Sequence, residues 1–199
     1  EHRPGTYIYN DRMQVAAGVA TLDDCALHIY ATVVNRAPPD RGDDGVPEPN
    51  EDMPTYEAEW ELLIPNVAAT QPVALLQHGH GLLGSDGQIE SEHFRTFCNT
   101  YGYAVVSSKL VGMADDDQEF IVGEVVGGRL DGVTKMFDRL HQGFLNNLLV
   151  MRLVSRGHAN DPEYGAFLDP TRRYYWGISQ GGIQGGVTMA LSPDIERSV

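Results

Sequence analysis

Apolar residues recur with two different periods along the chain, and the change of period separates a strand-rich beginning from the rest. Alternate residues are apolar over 56–64, which predicts a strand with one face on the core. Residues 27–34 are rich in β-branched and aromatic side chains, and we expect them to pair with 56–64 as an antiparallel hairpin. The residues of the second strand expected to face the core are Tyr56, Ala58, Trp60, Leu62 and Ile64.

The hairpin segment, residues 1–64, contains a loop of unusual composition. Residues 37–54 are rich in proline and acidic side chains and almost devoid of apolar ones, so we expect a mobile loop. A calcium site there is the alternative, although the ordered spacing of a calcium-binding loop is absent. Its ligands would be Asp40, Asp43, Asp44 and Glu48.

Residues 65–199 alternate between apolar strands and helical periodicity, which predicts an α/β fold with a mostly parallel sheet. Residues 73–77 are apolar on both faces, as a central parallel strand requires. Residues 103–107 form the next predicted strand, and the aromatic run 174–176 forms a third.

Helical spacing of apolar residues predicts three helices between and after these strands. One covers 89–101 and ends at Gly102, a second covers 130–154 as one helix or two joined near Gly143, and a third covers 183–191. Core packing explains the apolar stripe of the second helix, which contains Leu130, Val133, Phe137, Leu140, Phe144, Leu148 and Met151.

Composition narrows the classes of function. The 28 acidic and 14 basic residues give a net charge of -14, which argues against a nucleic-acid partner. No apolar run reaches the roughly 18 residues of a transmembrane segment. Cys25 and Cys98 lack metal-ligand spacing and are either free buried thiols or one disulfide. The acidic composition and a disulfide would suit a secreted or periplasmic bacterial protein.

The strongest chemical signal is the sequence from Gly177 to Gly181, which reads G-x-S-x-G with Ser179 at its centre. A strand precedes it and a helix follows it, so Ser179 would lie on a sharp turn at the positive end of a helix. A serine hydroxyl becomes a useful nucleophile in such a position when a base lies beside it. The flanking glycines allow the strand and the helix to approach closely.

A second motif, residues 80–85, follows the predicted central strand. It begins with His80 and Gly81 and continues with leucines and glycine, which is typical of a loop whose backbone N–H points at a developing oxyanion. A phosphate loop is the alternative, but no lysine is present in the motif. His78 and His80 lack a nearby third metal ligand, so we expect structural hydrogen bonds from them and no metal.

Three consecutive aspartates, Asp115 to Asp117, follow the strand at 103–107. They lie where open α/β sheets place ligands, so a cation site is one interpretation. We favour the other, in which they cap the next helix and face solvent.

Together the two motifs resemble the α/β-hydrolase superfamily, in particular its bacterial esterase and lipase branch. The resemblance covers residues 65–199, with 1–64 as an added β-hairpin extension. It implies Ser179 as nucleophile, the backbone N–H groups of Leu82 and Gln180 as oxyanion hole, and carboxylic ester hydrolysis without a cofactor. Supporting motif residues are His80, Gly81, Gly177 and Gly181.

The chain departs from this family in one respect. The family order is nucleophile, acid, histidine, whereas all seven histidines here precede Ser179. Asp194 and Glu196 come too early for the acid, and residues 197–199 look like the start of another strand. We therefore expect the catalytic His and Asp, and the remaining strands, to come from a C-terminal fragment of the same protein.

Several functions stay open at this point. A small-molecule or lipid ester is the expected substrate, and apolar Leu82, Leu83 and Met113 favour an uncharged or aliphatic acyl chain. Peptidase, polyester depolymerase and thioesterase activities belong to the same superfamily. A noncatalytic binding module that keeps the fold without the activity is the alternative of a different class.

Overall fold

A five-stranded, mostly parallel sheet organises residues 57–129 and 132–198, which the computed structural model describes. The strands lie in the order β1-β3-β2-β4-β5, and only β1 runs antiparallel to its neighbour, β3. Their bounds are β1 (Trp60–Leu63), β2 (Val73–Gly79), β3 (Tyr103–Ser108), β4 (Leu168–Gly177) and β5 (Arg197–Ser198). The predicted α/β class with a mostly parallel sheet is therefore confirmed.

Helices cover both faces of this sheet. The longer ones are α1 (Glu92–Tyr101), α2 (Gly132–Arg152) and α3 (Gln180–Leu191). As predicted, α1 ends at Gly102, whose left-handed φ of 72° lets its N–H bond to Cys98 O. Shorter helical turns are Asn66–Ala69, Asp86–Glu90, Asp115–Asp117, Gln118–Phe120, Ile121–Val126, Leu153–Gly157, His158–Asn160 and Gly165–Phe167.

Strand β1 is shorter than the alternating pattern predicted. Ala58 is exposed, so its expected place in the core is wrong. The chain is still joining the sheet at that point, through the bond from Lys109 N–H to Glu59 O. Trp60, Leu62 and Ile64 do pack against the core. The segment 27–34, the loop 37–54 and Cys25 lie outside the described residues.

The apolar core has two layers, one on each face of the sheet. Leu75, Tyr175 and Val106 point to the layer that α2 and α3 cover, where they meet Met151 and Met189. The opposite layer is the α1 side, lined by Leu76, Val105, Ile89, Phe94 and the buried free thiol of Cys98. Burial of this apolar surface, at roughly 25 cal/mol per Å², is the main force that holds sheet and helices together.

Helix α2 corrects the predicted apolar stripe. It runs unbroken through Gly143, and Phe137 on the predicted stripe is 51% exposed, while Phe144 and Leu148 are only partly buried. The buried face carries Met151 of the predicted stripe together with the amides of Gln142, Asn146 and Asn147. Hydrogen bonds give the physical reason, because buried amides stay in a core only when they are paired.

Asn147 is the centre of that buried network. Its side-chain oxygen accepts from Gln77 Nε2 on β2 at 2.7 Å and from Ser108 Oγ at the end of β3 at 3.1 Å. Its amide nitrogen donates to Thr188 Oγ1 on α3 at 3.0 Å. One side chain thus connects two strands with two helices and sets the rotation of α2 about its axis.

Within the described ranges, no helix is long and apolar enough to cross a membrane.

Candidate functional site

The carboxyl ends of β2 and β4 lie side by side, and the two sequence motifs leave the sheet from them. Gly79 pairs with Gly177 across the two strands. The following residues continue the contact, because Ile178 N–H donates to Gly79 O and Gly181 N–H donates to His80 O, both at 3.0 Å. The sheet therefore brings the two motifs into direct contact.

Ser179 lies on the turn between β4 and α3 with a left-handed φ of 54° and ψ of -114°. Such a conformation is costly for a residue other than glycine and is concentrated at functional sites. The helix begins at once with Gln180, three residues earlier than predicted. Although Ser179 occupies the N-cap, its side chain makes no capping hydrogen bond, and the residue is exposed. This exposed residue therefore lies at the positive end of α3 with no capping hydrogen bond from its side chain.

Two glycines make this turn possible. A methyl group on Gly181 would lie 2.1 Å from Gly79 O, and one on Gly177 would lie 2.3 Å from Gly181 O. Both distances are far inside van der Waals contact, so no side chain fits at either position. The G-x-S-x-G spacing thus has a steric cause here: β4, α3 and the end of β2 meet backbone to backbone.

Tyr175 stabilises the turn through a hydrogen bond from its side chain. Its hydroxyl donates to Gly181 O at 2.7 Å, and its ring packs on the side of α3 that carries Gly185. Burial raises the pKa of this hydroxyl, so it remains protonated and able to donate. Sequence reasoning placed Tyr175 in a strand and missed this contact.

His80 holds the loop that follows β2. Leu110 N–H donates to its Nε2 at 2.9 Å, so Nδ1 carries the proton and donates to Gly81 O at 2.8 Å. Both ring nitrogens are occupied, and burial lowers the pKa of the imidazole. His80 is therefore a neutral structural residue, as expected from the sequence, and is not placed to act as a base.

Gly81 of the loop lies close to the serine. A methyl group placed on Gly81 would lie 3.8 Å from Ser179 Cβ. Leu82, the next residue, has a side chain that is 59% exposed, and Leu83 adopts a left-handed φ of 54°. The predicted oxyanion donors are thus a residue adjoining Gly81 and the first residue of α3, Gln180, whose N–H has no acceptor within its own helix.

The three aspartates do not behave alike, which corrects the expectation that they face solvent. Asp115 and Asp116 are about half exposed and lie near Lys109 Nζ, at 3.5 Å and 3.7 Å. Asp117 is completely buried, and its Oδ2 accepts from Gly112 N–H at 2.6 Å and from Ala114 N–H at 2.9 Å. Its other oxygen pairs with Arg139 of α2.

Other candidate acids and bases are engaged elsewhere. His78 is buried between the rings of Phe94 and Trp176, at centroid distances of 4.7 Å and 5.6 Å. Asp194 lies just past α3, where Arg152 and Arg156 both pair with it at 2.9 Å. Among residues 57–129 and 132–198, no hydrogen bond joins the Ser179 hydroxyl to a histidine. The same residues contain no group of three or more His, Cys, Asp or Glu side chains arranged for a metal ion.

No protein-family model matches this sequence, and no curated protein matches it either. The candidate site consists of Ser179, the loop at Gly81 and the elements that hold them. The serine is strained and exposed at a helix N-terminus, and backbone hydrogen bonds pack the loop against its turn.

Proposed function

We propose that the protein is a serine hydrolase of α/β-hydrolase type, which cleaves carboxylic esters through an acyl-enzyme on Ser179. The observation that carries this proposal is the left-handed backbone of Ser179, at φ 54°, between β4 and α3. A serine there could cap the helix from an ordinary conformation, so the strained turn indicates another use for its hydroxyl. The adjoining loop at Gly81 supplies the second part that acyl transfer needs.

The proposed reaction has two steps. A base takes the hydroxyl proton while Oγ attacks the ester carbonyl carbon, and the carbonyl electron pair moves to oxygen. The N–H groups of Leu82 and Gln180 then stabilise this oxyanion, and loss of one such donor typically slows the reaction by about 10²–10³. The alcohol leaves with the proton returned by the base. Water attacks the acyl-enzyme in the same way and releases the carboxylic acid.

In this proposal the base and its acidic partner come from a C-terminal segment of the same protein. The α1 side of the sheet next to β5 supports this, because it holds an open cavity of about 400 Å³. Its lining is largely aromatic and consists of Leu76, Phe97, Tyr103, Tyr174, Tyr175, Trp176, Arg197 and Ser198. Apolar surface of this kind suits a further element of a fold better than water.

The surroundings of Ser179 support an ester with an apolar acyl chain, as in a small-molecule or lipid ester. Leu82 is 59% exposed, Ile178 42% and Ile183 80%, and each adjoins the serine or its loop. Exposed aliphatic groups that cluster at a reactive residue are typical of a site for an apolar ligand.

A fluorophosphonate probe tests this proposal directly, because it reacts only with an activated serine. We expect one probe per molecule of the full-length protein, located at Ser179 by peptide mass spectrometry. Ser179→Ala should abolish labelling, and Ser91→Ala, a change of another exposed serine, should leave it unchanged. Full-length protein that folds, takes up no probe and hydrolyses no ester would overturn the proposal.

One observation favours a second function, a noncatalytic binding module. Among the described residues no histidine is hydrogen-bonded to Ser179, and such a module needs none. It would retain an ester or a fatty acid at the apolar surface without consuming it. Binding without labelling or hydrolysis, undiminished in Ser179→Ala, would distinguish this function from the enzyme.

A further inference from the structure

The loop from Gly112 to Asp117 lies against the proposed oxyanion loop and is bonded to it at two points. Leu83 N–H donates to Met113 O at 2.9 Å, and Asp115 N–H donates to Gly84 O at 3.0 Å. The Leu82 amide therefore lies between two restrained residues. Gly81 O accepts a hydrogen bond from His80, and Leu83 N–H donates one to Met113 O. Movement of the Gly112 loop would move the Leu82 amide with it.

An ion pair whose carboxylate is completely buried keeps that loop in place. Asp117 is 0% exposed, and one of its oxygens accepts the N–H groups of Gly112 and Ala114. The other oxygen accepts from Arg139 Nε at 2.6 Å and pairs with a second guanidinium nitrogen. This two-point contact connects α2 to both ends of the turn that carries the Met113 carbonyl.

We propose that Arg139 and Asp117 are positioning residues, which act through the Gly112 loop to align the Leu82 N–H for the oxyanion. The inference rests on the proposed function. It adds a residue of α2, Arg139, that affects the site although it is remote in sequence from both motifs. The physical reason is the cost of an unpaired buried charge: without Arg139, the buried Asp117 carboxylate has no countercharge and must reach water, which releases the turn. The left-handed Leu83, a strained leucine, then loses its restraint.

Arg139→Gln in the full-length protein tests this inference. Because a donor displaced by about 1 Å costs on the order of 100-fold in rate, we expect kcat for a short-chain ester to fall by roughly that factor. KM should change less than about threefold, since the oxyanion forms only after binding. Arg139→Lys keeps the charge without the two-point contact and should restore part of kcat.

Arg172→Gln is the matched control. Arg172 forms an ion pair of similar length with Asp169, 2.7 Å, but that pair is solvent-accessible and lies in the first half of β4. This control should retain kcat within a factor of about two. Should Arg139→Gln fail to fold, Asp117→Asn provides the same test, because it retains the shape of the carboxylate and removes its charge.

Amide hydrogen exchange gives a readout that does not depend on catalysis. The N–H groups of Leu83 and Asp115 should exchange at least about tenfold faster in Arg139→Gln, while that of Gly181 stays unchanged. Unchanged exchange at Leu83 and Asp115 would overturn the inference, and so would unchanged kcat in an enzyme whose wild type is active. Faster exchange in a protein without serine reactivity would support the loop restraint, and the proposed function alone would then fail.

Discussion

The turn at Ser179 and the loop at Gly81 meet at one site but are held by different means. The turn is fixed by close backbone contact, with Gly177 and Gly181 packed against neighbouring main chain. The loop is fixed from outside by side chains that titrate or carry charge, namely His80, Asp117 and Arg139. We infer that the turn is rigid under most solution conditions, whereas acid and mutation at a distance can alter the loop.

The difference has a simple physical origin. Repulsion between atoms rises steeply at short distance and depends little on pH or salt. Ion pairs and imidazole hydrogen bonds depend on protonation, and in exposed cases on ionic strength. A serine that must stay in place and an amide donor that can be adjusted are thus combined in one site.

The largest expected effect on stability comes from adding a side chain at a glycine of the Ser179 turn. Gly181→Ala should lower the free energy of unfolding by about 3 kcal/mol or more, because the added methyl group would lie 2.1 Å from Gly79 O and backbone must move. Probe labelling of Ser179 should be lost as well. Urea unfolding followed by circular dichroism measures the stability of the variant.

Gly186→Ala is the control for that change, in the same helix. A methyl group on Gly186 meets no atom within 4 Å, so the substitution should stabilise the protein by about 0.5–1 kcal/mol. Equal effects at the two glycines would contradict a turn defined by steric contact.

Acid should weaken the loop side of the site. Burial lowers the pKa of both His78 and His80, so the unfolded chain binds protons that the folded protein excludes. Stability should therefore fall as the pH drops below about 6.5, by up to about 1.4 kcal/mol per histidine and pH unit, until the lowered pKa is reached. Above about pH 6.5 this loss of stability is absent, because both histidines are then largely neutral in the folded and the unfolded protein. Urea unfolding at pH 7.5, 6.5 and 5.5 measures it.

Two carboxyl groups, Asp86 near His80 and Glu61 near Asp86, act in the opposite direction at lower pH. Burial raises the pKa of Asp86 and of Glu61, with Glu90 and Asp86 adding to the effect on Glu61. Protonation of these groups relieves a cost of folding, so stability should level off as the pH approaches their ordinary range near 4. His80→Gln should reduce the slope between pH 6.5 and 5.5, and an unchanged slope would remove His80 from the explanation.

The smallest of these effects is expected at Tyr175. Tyr175→Phe deletes the hydroxyl that donates to Gly181 O and should cost about 1–2 kcal/mol, since a buried hydrogen bond is lost. Tyr174→Phe, on the opposite face of β4, should change stability by less than about 0.5 kcal/mol. A Tyr175→Phe variant as stable as wild type would show that the glycines hold the turn unaided.

Most of the sheet could be predicted from the sequence, and one helix face could not. The strands β2 and β3 are short apolar runs with turn residues at their ends, a pattern that few other structures produce. The face of α2 was predicted correctly at Met151 but wrongly in its middle, where Asn147 contacts the sheet and Gln142 is buried. Periodicity of apolar residues does not reveal a buried amide network, since its partners, such as Gln77, are distant in sequence.

The candidate site was predictable where it depends on local backbone. The glycines around Ser179 and the loop after β2 are local patterns, and the structure brings them together. Asp117 and Arg139 are 22 residues apart and belong to a strand-end loop and a helix, so no spacing rule connects them. The sequence predicted that Asp115 to Asp117 all face solvent. Only tertiary packing decides which one of three adjacent carboxylates is buried, so the burial of Asp117 could not be predicted.

Each face of the sheet also carries its own fluorophore. Of the two tryptophans in the chain, Trp60 packs with the α2 and α3 layer and lies 5.3 Å from the His158 ring. Trp176 packs with the α1 layer against Phe94 and Phe97, beside the aromatic cavity and three residues before Ser179. The emission of Trp176 in a Trp60→Phe background would therefore report on the surface next to the serine, without any attached dye.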